Sequence, residues 1–366
     1  EKKFKPYVAV GVFYNVGSHD ELPDQKGINR LLGLVMESGT KKYPEKKAQE
    51  IYKKYNLSDT YYDTQDITVS ISEHKKNEIE IGLDFQSDRM HNQIINEVSL
   101  IKAKKYHKTA IDEFKNNQFD RFADDASANM FPQDHPYQKT PIGVWKNIDT
   151  LSVSTVQKFY KQYYAPNNAV LVIVGDINPK DIIPLVYKYF GAIEPSDNIP
   201  ADPDLKVNFK KSNKIPKYFS QVDEIKIFNG NLCLMWFKLP SARNDDIFIT
   251  QAISEILYLD KFQAGPHIKR FTKNRWLSAG FETEHDSRLG QSFFLCVSYN
   301  LFKNVSPYKI KQSVLKTFED IANKGFDQDL INQYKKKKLL DLYELNNNLI
   351  NIANNLGNAE LIFGDY

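Results

Sequence analysis

The stretch Gly27-Ile-Asn-Arg-Leu-Leu-Gly-Leu-Val-Met-Glu-Ser-Gly-Thr40 predicts an amphipathic helix. Five apolar side chains recur at i, i+3, i+4, i+7 and i+8, and therefore share one face: Ile28, Leu31, Leu32, Val35 and Met36. The opposite face carries Arg30, Gly33, Leu34 and Glu37. A glycine inside a helix costs about 1 kcal/mol relative to alanine. Gly33 therefore requires a reason in the folded protein.

The sequence around this helix predicts a mixed α+β domain. A strand is expected at Tyr7–Tyr14, and a buried strand at Ala169–Gly175 followed by a helix at Pro179–Phe190. Between them we predict one hairpin, Asp66–Glu73 with Glu78–Phe85. Further helices are predicted at Glu45–Tyr55, Ser87–Asn96, Leu100–Asn116, Phe119–Met130 and Ser154–Tyr164.

The second half of the chain repeats this order of elements. A strand at Leu232–Leu239 precedes a helix at Ile247–Tyr258. The other predicted elements are a helix at Pro266–Thr272, a hairpin of Leu277–Thr283 with Ser292–Tyr299, and helices at Tyr308–Asn323 and Asp327–Leu356. We therefore predict two homologous domains, each an antiparallel sheet covered by helices.

Proline and polar residues separate the two halves. We predict a first domain over residues 1–195, a linker over 196–216 and a second domain over 217–366, truncated at its end. The 366 residues, 41% hydrophobic and 26% charged, suffice for two cores. The net charge of +3 gives no indication of a nucleic-acid partner. The longest apolar run, Ala169–Val174, is far shorter than the ~20 residues of a membrane span.

Several motifs resemble those of the pitrilysin-like zinc proteases, the insulinase and processing-peptidase type. Gly17-Ser18-His19-Asp20-Glu21 is similar to a family G-S-x-x-E, and residues 27–40 are similar to the family's zinc helix, G-x-A-H-L-L-E-H-M-x-F-x-G-T. Further matches occur in order and at family spacing: Ser87-Asp88-Arg89-Met90, His135-Pro136-Tyr137, Pro141-Ile142-Gly143, Tyr164-Ala165-Pro166-Asn167-Asn168 and Val174-Gly175-Asp176. The resemblance implies the processing-peptidase fold.

The zinc-binding residues of that family are absent. Its inverted H-x-x-E-H motif places two histidines and a general-base glutamate on one helix face, where this chain has Arg30, Leu34 and Gly33. Arginine has no lone pair to donate, leucine has no donor atom, and glycine has no side chain. The family's distal glutamate ligand falls near Thr109 to Glu113, so Glu113 is the candidate for that vacated position. We also predict that Arg30 pairs with Glu113 or Asp112.

No alternative metal or nucleophile site is apparent. None of the seven histidines, at positions 19, 74, 91, 107, 135, 267 and 285, has a partner at i+3 or i+4 on a predicted helix. Cys233 and Cys296 are too far apart for a C-x-x-C motif. We therefore predict no catalytic residue, no bound metal and no cofactor in this chain, with zinc only in a partner subunit.

Two stretches are candidates for substrate contact. Active members of the family carry N-A-x-T-x-x-D-x-T on the edge strand that pairs with the substrate backbone. The matching stretch here, residues 60–68, is Thr-Tyr-Tyr-Asp-Thr-Gln-Asp-Ile-Thr, with Thr60, Asp63 and Asp66 as candidate contacts. Partner subunits of some relatives supply an arginine and a tyrosine from the second domain. Arg270 and Arg275 lie in the matching stretch, but no tyrosine stands at the expected place.

The resemblance implies a non-catalytic half of a heterodimeric protease. In this family two two-domain units enclose a chamber, and we predict that this chain completes the chamber and helps to hold extended peptides for a zinc-bearing homologue. The alternatives are a structural or assembly subunit, an active zinc protease with displaced ligands, and, for the assembly, a homodimer. The Lys-, Asn- and Tyr-rich composition is compatible with an AT-rich bacterial genome. We predict a periplasmic or otherwise exported bacterial protein, with a mitochondrial matrix protein as the alternative.

Overall fold

The structure is a computed structural model of the chain. It describes residues 6–55, 58–117, 120–121, 124, 135–138, 140–201, 218–225, 230–238, 246–262, 277–284, 293–300, 307–345 and 348–364. The chain forms two compact units. The first comprises Glu1–Phe114, Lys139–Leu205 and Leu345–Tyr366, and the second comprises Lys115–Gln138 and Lys206–Glu344.

The first unit contains a four-stranded antiparallel sheet. Its strands are β1 (Tyr7–Tyr14), β2 (Ser58–Asp63), β3 (Thr68–Lys75) and β4 (Ala169–Gly175), in the order β2-β3-β1-β4. The predicted bounds of β1 and β4 are confirmed. Strand β2 lies at one edge, so its outer side has no strand partner among the described residues.

The described helices of the first unit surround this sheet. They are α1 (Ile28–Met36), α2 (Glu45–Tyr55), α3 (Ile79–His91), α4 (Glu97–Asn116), α5 (Trp145–Thr150), α6 (Val153–Tyr163), α7 (Pro179–Phe190) and, at the C-terminus, α11 (Leu349–Asn358). Short 3₁₀ turns of this unit occur at Ser18–Asp20, Lys76–Glu78 and Pro166–Asn168, and a π-turn at Ala359–Phe363 follows α11. A further 3₁₀ turn, Pro136–Gln138, belongs to the second unit.

Strand β1 is buried on both faces, which explains its nearly continuous apolar sequence. Val12 and Tyr14 belong to the core that α1, α4 and α6 cover, whereas Val8 and Val10 contact the core under α3 and α7. Ala9 and Phe13 face the opposite side of the sheet, against α11. The sheet therefore has helices on both faces, and α1 packs on the face that carries Val12 and Tyr14.

The second unit contains a sheet with the same arrangement. Its strands are β5 (Tyr218–Ile225), β6 (Gly230–Lys238), β7 (Leu277–Glu284) and β8 (Phe293–Asn300), in the order β5-β6-β8-β7. In both sheets a first strand pairs with the second strand of a later hairpin, β1 with β3 and β6 with β8. The remaining edge strand is the last strand of its sheet along the chain in the first unit, β4, and the first along the chain in the second unit, β5. The predicted duplication is confirmed, although β5 was not predicted.

The described helices of the second unit are α8 (Asp246–Phe262), α9 (Pro307–Lys324) and α10 (Gln328–Leu345). Among the described helices, none combines the length and the apolar character needed to cross a membrane.

The C-terminal helix α11 packs on the first sheet, although the sequence placed it in the second domain. Its Leu349 and Ala353 are buried against Phe13 and Ala9. A Cβ atom added at Gly357 would lie 2.5 Å from the Phe13 ring, so the glycine permits close packing. The predicted second domain, 217–366, therefore differs from the second unit, which ends at Glu344.

The predicted hairpin partner Glu78–Phe85 is wrong, because residues 79–91 form helix α3. The true partner of β3 is β2, which precedes it. Alternation of Ile79, Ile81, Leu83 and Phe85 imitates a strand. The buried residues of α3 nevertheless include a series with the helical period: Ile79, Gly82, Leu83, Gln86, Ser87 and Met90. All of the predicted helix Pro266–Thr272, and most of the predicted helix Phe119–Met130 and of the predicted linker, lie outside the described residues.

Candidate functional site

Helix α1 begins at a buried carboxylate. Glu21 accepts hydrogen bonds from the backbone N–H groups of Gly27, at 2.8 Å, and Asn29, at 2.9 Å. These N–H groups at the start of a helix have no partner within it. Burial raises the pKa of the Glu21 carboxyl to about 8, against the lowering effect of the two N–H donors and of Lys26. The glutamate of the G-S-x-x-E motif therefore caps α1.

The turn before Glu21 is packed against the β2–β3 connection. The ring of His19 is buried, with Nδ1 2.7 Å from the Gln65 carbonyl oxygen and 3.4 Å from Asp66 Oδ1. Gly17 lies so close to the Gln65 backbone that an added Cβ would be 2.3 Å from its carbonyl carbon. The turn therefore holds the end of β2 in a defined position beside α1.

The P-x-G motif supports α1 from the other side. Gly27 and Gly143 both have positive φ, at 101° and 75°, a region that favours glycine. A Cβ at Gly143 would lie 2.4 Å from the Gly27 Cα, so no other residue fits there. The buried His107 ring contributes Nε2, 2.7 Å from the Ile142 carbonyl oxygen. These motifs of the sequence are therefore the scaffold that positions α1.

The outward stripe of α1 forms one wall of a cleft of about 280 Å³. Strand β2 forms the facing wall, and α3 contributes one side chain. The described lining consists of Arg30, Gly33, Leu34, Met36, Glu37, Tyr61, Asp63 and Arg89. All three vacated zinc-site positions on α1 are thus brought together in this cleft.

Arg30 is paired with Asp63 at the end of β2. Its Nη1 donates to Asp63 Oδ1 at 2.7 Å, and the side chains are 47% and 3% exposed. Burial raises the pKa of the Asp63 carboxyl, while the Arg30 guanidinium opposes that rise. The ion pair ties α1 to β2.

Gly33 makes room for the ring of Tyr61. A Cβ at Gly33 would lie 2.6 Å from Tyr61 Cε1 and 2.9 Å from its hydroxyl oxygen. Burial, together with the nearby Tyr164 and Asp63, raises the pKa of the Tyr61 hydroxyl. The aligned family pattern has alanine where Tyr61 stands and glutamate where Gly33 stands. The glycine and the tyrosine are therefore complementary in size, which is the reason that the helical glycine required.

The cleft does not fit a zinc ion. Arg30 is a permanent cation that is paired with the Asp63 carboxylate. Leu34 is partly packed against the core and has no atom that can bind a metal. The part of the chain that the structure describes contains no group of three His, Cys, Asp or Glu side chains placed to hold a metal.

The predicted pairing of Arg30 with Glu113 or Asp112 is wrong. Asp112 pairs with Lys108 on its own helix at 2.7 Å, and both carboxylates are exposed. Helix α4 turns a different face inward: Ser99, Leu100, Ala103, His107 and Ile111. Glu113 therefore lies on the solvent side of α4, and no α4 residue is among the described lining of the cleft.

The candidate substrate contacts differ in their accessibility. Thr60 is half-buried in the edge strand β2. Asp63 is nearly inaccessible beneath Arg30, and Asp66 is fully buried beside His19, so neither carboxylate can contact a peptide directly. Arg270 and Arg275 lie outside the described residues.

Sequence reasoning missed Tyr61, Arg89 and Glu21 as parts of this site. Arg89 donates from Nη1 to Ser70 Oγ at 2.7 Å and from Nη2 to the Tyr52 hydroxyl at 3.0 Å, and its guanidinium lies over the Phe85 ring. Tyr61 could have been found from the sequence, because it stands at a position where the family pattern has alanine. A large residue at a small-residue position indicates that a neighbour has become smaller.

Comparisons with family models assign both halves of the chain to one family. Residues 1–140 match the model described as Insulinase (Peptidase family M16). Residues 150–338 match the model described as Peptidase M16 inactive domain.

Known proteins show the same similarity. The chain is 23% identical over 260 residues to the zinc protease PqqE of Helicobacter pylori, covering 68% of this chain and 55% of that protein. It thus spans about half the length of this curated relative. A solved protease from Helicobacter pylori superposes with a TM-score of 0.82 at 19% identity, covering 100% of this chain and 86% of that one. The periplasmic protease PqqL from Escherichia coli gives 0.72 at 16% identity, with 98% and 40% covered. These structural likenesses show the fold.

Proposed function

The chain belongs to peptidase family M16, and we propose that it acts as a non-catalytic subunit of a zinc metalloendopeptidase of this family. In this proposal it completes a chamber with a zinc-bearing homologous subunit and helps to hold extended peptides. The observation that carries the proposal is the contrast within α1: its scaffold is intact, while the positions that would bind zinc hold Arg30, Gly33 and Leu34.

The replaced positions on α1 support a loss of zinc binding, while the residues that hold the helix in place are retained. A helix whose function had disappeared would be free to lose its supports as well. Instead, Glu21 still caps α1, the Gly27–Gly143 contact is intact, and the cleft is lined by the Arg30–Asp63 ion pair and the Tyr61 ring. This supports a role that uses the shape of the site rather than a metal.

The position of β2 supports peptide binding. It is an edge strand, and its Tyr61 and Asp63 form a wall of the cleft. An extended peptide can add to such an edge through backbone hydrogen bonds. A peptide docked on β2 would therefore pass beside α1.

An exported, periplasmic location is part of the proposal. It is supported by the fold shared with the protease PqqL of Escherichia coli, which is described as periplasmic.

The test combines zinc analysis with a peptidase assay. The purified chain and an M16 homologue with an intact H-x-x-E-H motif, from the same organism, are assayed on a fluorogenic peptide separately and together. We expect no stoichiometric zinc in this chain, no activity alone, and increased activity on mixing, which a chelator abolishes.

Two results would contradict the proposal. About one zinc per chain with chelator-sensitive activity of the chain alone would identify a working protease with displaced ligands. A stable complex whose peptidase activity is unaffected by this chain would identify an assembly subunit.

A further inference from the structure

The guanidinium of Arg30 has donors that no residue described in the structure accepts. Arginine presents five N–H groups in a rigid fork. Among the described residues, Arg30 donates to one acceptor, Asp63 Oδ1. Its side chain is 47% exposed and lines the cleft. The remaining donors are therefore available to a ligand in the cleft.

Asp63 orients this guanidinium through one N–H group and leaves the other donors for a ligand, while its own charge offsets part of the positive charge of Arg30. Its carboxylate is only 3% exposed, lies at the end of β2 and accepts one hydrogen bond from Nη1. Since Asp63 accepts one of its N–H groups, the side chain of Arg30 loses part of its rotational freedom before any ligand binds. A pre-oriented donor pays less entropy on binding than a mobile one.

The chemistry of the cleft favours a carboxylate at the Arg30 end. Leu34 and the edge of Tyr61 offer apolar walls, and Glu37 lies two turns further along α1, about 10 Å away at 1.5 Å per residue. The exposed Glu37 would repel an acidic group at its own end of the cleft. Arg30 binds a carboxylate with charge-assisted hydrogen bonds.

We propose that this cleft recognises a carboxylate on an extended peptide through the Arg30 guanidinium, so that the subunit favours peptides carrying an acidic group near the segment docked on β2. The inference rests on the proposed function, because it takes β2 as the docking edge. The carboxylate is either an acidic side chain or the C-terminus of the peptide.

Three peptides distinguish these sources. They share one extended, β-branched sequence labelled with a fluorophore: one with blocked ends and a central glutamate, one with blocked ends and glutamine at that place, and one with glutamine and a free C-terminal carboxylate. Their affinities for the full chain are measured by fluorescence anisotropy. Arg30 and β2 belong to the same unit of this chain, so the measurement requires no partner subunit.

We expect one of the two carboxylate peptides to bind about five- to tenfold more tightly than the blocked glutamine peptide, as for a partly exposed charge-assisted hydrogen bond. Arg30→Gln abolishes this ratio, while affinity for the blocked glutamine peptide is retained. Arg30→Lys keeps the charge but loses the fork, and reduces the ratio. Lys180→Gln is the control, because it removes one positive charge at an exposed position on α7.

A second measurement needs no variant. Raising the salt concentration reduces the preference of the unmodified chain for the carboxylate peptide, since salt screens a partly exposed charge pair. Equal binding of all three peptides overturns the inference but leaves the docking edge in place. Binding of none of them overturns the inference together with the proposed peptide-holding role. A ratio that persists in Arg30→Gln also overturns it.

Discussion

The two faces of α1 differ in what their residues do. The inward face keeps five buried apolar side chains, none more than 4% exposed: Ile28, Leu31, Leu32, Val35 and Met36. The outward face has arginine, glycine and leucine where relatives of the family have metal ligands and a general base. The comparison shows that a nine-residue helix can keep its buried packing residues while its metal-binding residues are replaced.

The outward face is nevertheless not a neutral surface. Arg30 has a carboxylate partner 33 residues away, and Gly33 has a ring packed against it. The changes on α1 are accompanied by unusual residues on β2, Asp63 and Tyr61, at family Thr and Ala positions. The site is therefore better described as rebuilt than as decayed.

Breaking the inward face has the largest expected effect. Leu31→Ala removes a fully buried leucine side chain, so we expect a loss of about 2–5 kcal/mol in the free energy of unfolding. Leu34→Ala is the matched control on the outward face, where the leucine is only partly buried, and its loss is smaller. Urea unfolding of both variants measures the difference. Equal losses would show that the two faces are not distinct in packing.

Placing a side chain at Gly33, where the Tyr61 ring lies, has the next largest expected effect on stability. Gly33→Glu forces its Cβ into the Tyr61 ring, and overpacking of this kind costs about 1–3 kcal/mol. Tyr61→Ala in the same chain provides room, so the double variant loses less than the sum of the two single variants. Thermal or urea unfolding of the four chains forms the cycle. Additive losses would show that Gly33 and Tyr61 are not coupled.

A related expectation concerns zinc. Restoring the motif by Arg30→His, Gly33→Glu and Leu34→His leaves Tyr61 in the position of the new glutamate. We therefore expect no stoichiometric zinc from the triple change, measured by metal analysis after dialysis. Stoichiometric zinc in that triple variant would show that Tyr61 does not occupy the site.

Breaking the ion pair has the smallest effect. Asp63→Asn keeps the shape but removes the charge that faces Arg30, and a half-exposed arginine limits the loss in the free energy of unfolding to about 1 kcal/mol. Arg30→Gln with Asp63→Asn completes a double-mutant cycle by urea unfolding. A coupling energy of zero would mean that the pair does not link α1 to β2.

The fold was largely predictable where the signal is local. The strands β1 and β4 and the helix α7 appear at their predicted bounds, because alternation, apolar runs and the helical period are properties of neighbouring residues. Prediction failed at residues 79–91, where the sequence shows both the two-residue alternation of a strand and the 3.6-residue period of a helix. A Cβ at Gly82 would lie 2.5 Å from the His74 ring, and that close packing of α3 on β3 has no local signature.

The sequence by itself determined two things about this protein: the duplicated α+β architecture, and the absence of zinc ligands on α1. Both follow from residue identity and short-range periodicity. Only the tertiary structure decided that Arg30 pairs with Asp63 rather than with Glu113, that Tyr61 fills the space at Gly33, and that α11 covers the first sheet. These contacts join positions separated by about 30 to more than 300 residues in the chain, and no pattern of neighbouring residues specifies them.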